Sequence, residues 1–204
     1  MLRRLVIIAA VLLALLGISQ LVIPPIVEHH IEGRLTAAGG NADVSVAAFP
    51  AVRLLFGDGS SINVDASGLD LTPQGTRSAV FSSLDDYDSV SVDIRDFRAG
   101  PFRLARFDLT RPGTSAQYHL VAGGSTSAAD IASYGASRLG LPGGPLAGYL
   151  SNQLLPNDPI PIRLDMGLES QDGRIVVTSG TGSVAGVPTG PLAELITSLV
   201  AVRI

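Results

Sequence analysis

The chain has 204 residues, 46% of them hydrophobic, and a formal net charge of −4 at pH 7. It holds no cysteine, which excludes disulfides, thiolate metal sites and cysteine nucleophiles. All 14 basic residues are arginine, and without Arg3 and Arg4 the remaining 12 face 18 acids, a net charge of −6 that lacks the basic footprint of a free-standing nucleic-acid binder. A GC-rich codon bias is the simplest source of the missing lysine.

Residues 5–23 (LVIIAAVLLALLGISQLVI) form 19 positions without a charge, enough for a helix to cross a bilayer's hydrocarbon core. Arg3 and Arg4 precede them, so the positive-inside rule predicts a cytoplasmic N-terminus and an exported remainder. Gly17-Ile18-Ser19 also passes as a weak cleavage site. A retained anchor is expected instead, because apolar residues continue to Ile23. The division is then 1–25 as anchor or signal segment and 26–204 as one exported domain, large enough to hold a core without disulfides.

Pro24-Pro25 predicts a break. Residues 26–38 then read as a short amphipathic helix, with Ile26, Val27, Ile31 and Leu35 at helical spacing and Gly39-Gly40 as its stop. From Val44 the apolar period changes to two. Val44, Val46 and Ala48 alternate with small or polar residues, as do Ile62, Val64 and Ala66, and then Val90, Val92 and Ile94. Asp58-Gly59 between such runs predicts a hairpin turn over Gly57 to Ser61. A phosphate-binding loop would need a lysine, and a nucleophile elbow would need G-x-S-x-G; neither is present.

Phe102 and Leu104 begin another strand. Its alternation slips by one at Ala105-Arg106 and resumes at Phe107 and Leu109, which predicts a β-bulge and a bend. Ala116, Tyr118 and Leu120 follow. Ile160, Ile162, Leu164, Met166 and Leu168 form the longest alternation, returned by Ile175 and Val177 after Gln171-Asp172-Gly173. Helices are expected over 130–139, after the capping-box sequence Ser127-Ala128-Ala129-Asp130, and over 145–155 and 191–202. The predicted class is α+β: a long, curved, largely antiparallel sheet with one apolar face and helices packed on one side.

The chemistry-bearing residues are sparse. His29 and His30 are adjacent and point about 100° apart on a helix, so they cannot share a metal face. His119 is out of phase with Tyr118 and Leu120 and is expected in solvent. Leu84-Asp85-Asp86-Tyr87-Asp88 lacks the alternating ligands and later Glu of a calcium loop and reads as a solvated acidic turn. Arg95, Arg98, Arg103, Arg106 and Arg111 fall within 17 residues, interleaved with Phe97, Phe102 and Phe107. They form either a basic rim for an anionic headgroup or exposed strand arginines paired with Asp93, Asp96 and Asp108.

The order AAFPAVRLLFGDGSSINVDASGLDL, VSVDIRDFRAGPFRL, AADIASYG and LPNDPIPIRLDMGLESQDGRIVVTSGTGSVAGVPTGPL resembles the actinobacterial LmeA-like family of exported envelope proteins, over roughly residues 26–204. Phe49-Pro50 with Leu54-Leu55 and Gly57, Asp172-Gly173, and Gly186-Val187-Pro188 carry the likeness. Ala48 stands where the family often has Gly, and 139–145 is unusually rich in Gly and Pro. The resemblance implies a tubular lipid-binding (TULIP, BPI-like) fold, phosphoinositide-type lipid as ligand, and a role in maturing mannose-bearing lipoglycans.

The residues give a membrane-tethered, exported α+β domain with one apolar sheet face and no catalytic signature; joined to what the resemblance implies, the expectation is a non-enzymatic lipid-binding module without cofactor or metal. Val92, Ile94, Phe102, Leu104, Ile160, Ile162, Leu164, Met166 and Leu168 are the candidate walls of a lipid groove, and Arg103 and Arg106 the candidate headgroup ligands. The expected partners are a phospholipid or other acyl-chain lipid, the membrane, and an envelope biosynthetic enzyme, with no nucleic acid. The alternative is an interaction scaffold for such an enzyme, its sheet face closed by its own helices. A hydrolase would need a convergent Ser, His and Asp that no motif supplies.

Overall fold

The protein is described here from a computed structural model covering residues 2–71, 82–138, 158–171, 174–184 and 187–188. The expected helices at 145–155 and 191–202 lie outside these residues. The first element, α1, is a single helix from Leu2 to Leu35. It runs through Pro24 and Pro25 without the predicted break. Each proline removes one helical N–H donor, to the carbonyls of Gln20 and Leu21. Tertiary contacts hold the turns beyond them. Ile31 and Leu35 are buried in the core. The Glu28 carboxylate accepts from the Val46 N–H at 2.9 Å, and that of Glu32 from the Val44 N–H at 3.2 Å. These carboxylates satisfy backbone donors of the first strand, so α1 covers a sheet edge that would otherwise offer itself for pairing.

Among the described residues, nine strands form one open sheet: β1 (Asn41–Ala47), β2 (Gly59–Ser67), β3 (Asp70–Leu71), β4 (Tyr87–Ala99), β5 (Phe102–Arg111), β6 (Tyr118–Thr126), β7 (Ile160–Gln171), β8 (Arg174–Val184) and β9 (Val187–Pro188). The order is β1-β2-β4-β5-β6-β7-β8-β9, with β3 beside β4. The pairing is mostly antiparallel, but β2 and β3 both run parallel to β4. Two further helices are described, α2 (Ser82–Asp85) and α3 (Ala128–Arg138). The Ser127 Oγ accepts from the Asp130 N–H at 3.0 Å and donates to its carboxylate at 2.9 Å, so the cap forms and the helix starts two residues earlier than predicted.

The turn over Gly57 to Ser61 is not the tip of a two-residue hairpin. β1 and β2 do pair antiparallel, yet the chain between them contains a 3-10 helix, Ala51–Phe56. Gly57 ends that helix at φ 81°, its N–H donating to the Leu54 carbonyl at 3.1 Å. The glycine is needed for a left-handed helix stop, and Gly59 already belongs to β2.

A line of dislocations crosses three adjacent strands. Buried positions run Ile62, Val64, Ala66 and then shift to Leu69 and Leu71, with Gly68 at φ 66°. On β4 they run Val90, Val92, Ile94 and shift to Phe97 and Ala99, with Asp96 at φ 47°. On β5 they shift between Leu104 and Phe107, where the predicted bulge breaks the register with β6. One extra residue per strand at the same level keeps one face apolar while the sheet bends. That face, with Ile31 and Leu35 of α1, makes one continuous core. The Phe97 and Phe107 rings meet edge-to-face across the bend at 6.2 Å.

Candidate functional site

The wall candidates share one face of the sheet. Val92, Ile94, Phe102, Leu104, Ile162, Leu164, Met166 and Leu168 are all 0–3% exposed, and Ile160 is half-buried at the strand's start. Arg103 and Arg106 stand exposed on the opposite, polar face. The two arginines do not share a site. Arg106 is paired with Asp108 at 2.9 Å, beside the Arg95–Asp93 pair at 2.8 Å. In register, Arg95 faces Arg106 and Asp93 faces Asp108, so like charges face each other across the ladder and each arginine is neutralised by the aspartate two residues away on its own strand. The Arg95 hydrogen bond, with weaker help from Arg106, holds the Asp93 carboxyl below the usual carboxylate range. Arg106 and Arg95 thus follow the ion-pair alternative weighed for this cluster.

Arg103 has different surroundings. It sits directly opposite Arg98 across the β4–β5 ladder, and like charges so placed repel. Its partner is Asp130 of α3, at a loose 3.8 Å. Both arginines line a depression of about 850 Å³ at the line of dislocations. Leu69, Phe97 and Leu104 contribute to the same lining, as do Asp96 and Asp70, the register partner of Arg98 on β3. The shift of strand phase explains the mixture: where the sheet is dislocated, residues of the polar and apolar faces come together. Sequence reasoning found Arg103 and Leu104 but not Arg98 as a companion. The signal was present, because Ala66 to Leu69 and Ile94 to Phe97 repeat the one-residue slip read at Ala105-Arg106.

A second cavity, of about 680 Å³, lies along β6, β7 and β8 and is lined by Ala122, Leu164, Met166 and Val177, with Arg163 and Asp165. Leu164 and Met166 pair with Gly182 and Gly180 across the β7–β8 ladder. Both volumes lie in the range of small-molecule sites.

Arg111 corrects the reading of the arginine run. It is 5% exposed, on the apolar face. Its guanidinium donates to Asp85 Oδ1 at 3.2 Å, to the Leu84 carbonyl at 3.0 Å and to the Tyr87 carbonyl, and stacks 4.7 Å from the centre of the Tyr118 ring. Asp85 also accepts from the Tyr118 hydroxyl at 2.9 Å and from the Ser170 hydroxyl. Asp85 therefore belongs to a half-buried network joining α2, β5, β6 and β7, while Asp86 and Asp88 are exposed as the acidic-turn reading expects. Burial, then the Asp85 charge, pushes the Tyr118 phenol well up. Burial, then Asp86, raises that of Tyr87.

His119 is exposed and lies 3.0 Å from Asp165, and no serine bonds it among the described residues. His29 and His30 are exposed on α1. Among the described residues no group of three or more His, Asp or Glu is placed to hold a metal. No protein-family model, no curated protein and no solved structure matches the chain.

Proposed function

We propose that the chain is a membrane-anchored lipid-binding protein, related to the LmeA-like family and of the tubular lipid-binding type, that holds an anionic lipid headgroup between Arg98 and Arg103. The observation that carries this reading is the register pair Arg98–Arg103 at a depression whose lining includes Leu69, Phe97 and Leu104. Like charges in register repel, Asp130 compensates Arg103 only loosely at 3.8 Å, and guanidinium forks suit a phosphate. Acyl methylenes removed from water contribute about 0.8 kcal/mol each. The residues from Ala10 onward in α1 form a helix long and apolar enough to span a bilayer, which keeps such a site close to its lipid source. Extracytoplasmic placement of the sheet and a role in envelope lipoglycan synthesis belong to this proposal.

The scaffold reading rests on a different observation: eight of the nine wall candidates are packed to 0–3% exposure, as in a filled core. One experiment separates the two. The full chain is purified in detergent, and bound lipids are identified by native mass spectrometry, alongside an Arg98→Gln/Arg103→Gln variant. A stoichiometric anionic lipid lost at least tenfold in the variant supports the proposal. A chain without lipid, even after exposure to anionic vesicles, favours the scaffold.

A further inference from the structure

Among the described residues outside α1, the three most exposed large apolar side chains lie close together in the chain, with a fourth beside them. Phe56 is 83% exposed, Phe49 76%, Leu55 62%, and Val52 more than a third. All four lie in or beside the 3-10 helix Ala51–Phe56, whose Ala51 and Leu54 are buried and fasten it to the fold. The segment thus turns Ala51 and Leu54 inward and four large apolar groups outward. Exposed patches of this kind mark contact with a protein or a membrane.

Its position along α1 decides between them. With its amide oriented to satisfy both partners, Gln20 donates to the Ala48 carbonyl at 3.2 Å and accepts from the Ala51 N–H at 2.9 Å. Glu28 then bonds Val46 and Glu32 bonds Val44. As α1 rises from Gln20 to Glu32, its partners recede from the 3-10 helix into β1. The apolar turn is therefore level with Gln20. At 1.5 Å per residue this is about 5 Å before the end of the uncharged stretch at Ile23. A bilayer that takes up residues 5–23 necessarily brings its boundary to the turn. The polar residues Glu28, His29, His30 and Glu32 lie beyond it, on the side of the sheet. Arg53, in the same turn, is paired with Asp58 at 2.6 Å and only partly exposed, a long side chain placed to reach headgroups while its neighbours enter the acyl boundary.

We infer that the turn over residues 49–56 is a second membrane contact, inserting Phe49, Val52, Leu55 and Phe56 into the interfacial layer of the bilayer that α1 crosses. The inference rests on the reading of α1 as a span. A single helix leaves the attached sheet free to rotate about the bilayer normal and to tilt. A second contact beside it sets the tilt, so that the end of the sheet where β1 finishes and β2 and β4 begin faces the lipid.

The chain contains no tryptophan, so one introduced indole reports its own depth. The full chain is reconstituted into phosphatidylcholine vesicles carrying acyl-chain bromines at a shallow or a deep position. Phe56→Trp and Leu13→Trp are compared, with Leu55→Trp as a second reporter should the first fail to fold. The expected result is stronger quenching of the position 56 indole by shallow than by deep bromines, and the reverse order at position 13. Quenching at 13 with none at 56 or 55 overturns the second contact and leaves the anchor standing. Absence of quenching at all three positions removes the anchor, and the inference with it.

Discussion

Removal of the Asp85 carboxylate tests the buried network most directly. Asp85→Ala deletes the acceptor for Arg111, Tyr118 and Ser170 at once. Arg111 keeps its bonds to the Leu84 and Tyr87 carbonyls and its stacking on Tyr118, but its positive charge is left 5% exposed without a counter-ion. Breaking a fully buried pair costs about 3–5 kcal/mol. The Asp85 side chain is 29% exposed, so water replaces part of what is lost, and the expected cost falls to about 2–3 kcal/mol. The assay is urea unfolding of the full chain in detergent micelles, followed by far-ultraviolet circular dichroism, for Asp85→Ala, Arg111→Met and the double variant. The double variant should be more stable than the two single losses added together, by at least about 1 kcal/mol, because it strands no charge. A loss below about 0.5 kcal/mol for Asp85→Ala, or strict additivity, would refute the account of Arg111 as a charge held by Asp85.

Two neighbouring glycines on β6 should behave oppositely. A Cβ at Gly124 would lie 2.3 Å from the Arg103 carbonyl oxygen and 2.8 Å from Leu104 Cα, backbone atoms that cannot yield, whereas one at Gly123 meets nothing within 4 Å. Gly124→Ala should cost more than about 2 kcal/mol and Gly123→Ala less than about 0.5, as read from midpoints of thermal unfolding; equal effects would show that the bulge beside Leu104 does not constrain β6. The raised phenols of Tyr118 and Tyr87 set an alkaline limit. The neutral forms are favoured by folding, so their contribution is complete below the ordinary value of 10.0 and is lost as pH rises above it. Stability should fall above pH 10 by up to about 1.4 kcal/mol per pH unit for each tyrosine, and Tyr118→Phe should make that slope shallower.

The strands were legible because each carries a period of two over a face that one core buries. The bulge at Ala105-Arg106 was legible for the same reason, and the helix cap at Ser127 through its side-chain chemistry. Other features were hidden by competition between local and tertiary preference. Pro24-Pro25 disfavours a helix locally, but Ile31, Leu35, Glu28 and Glu32 hold the later turns against β1. Asp58-Gly59 has hairpin chemistry, yet Ala51 and Leu54 find burial as a 3-10 helix and displace the turn. Arg111 continues the alternation of Phe107 and Leu109, so its burial was implied by phase; that a charge is tolerated there depends on Asp85, far away in sequence.

The sequence alone determined a helix apolar enough to span a bilayer, a mostly antiparallel sheet with one greasy face, and a lack of thiol chemistry. These depend on composition and on short-range periodicity. Only the tertiary structure decided which arginines face one another, which are tied in surface pairs and which one is buried. It alone also set the exposed turn level with Gln20. Such juxtapositions depend on strand order, register and the depth at which a helix docks on a sheet edge. Those quantities are fixed by the packing of residues distant in sequence, and no local pattern encodes them.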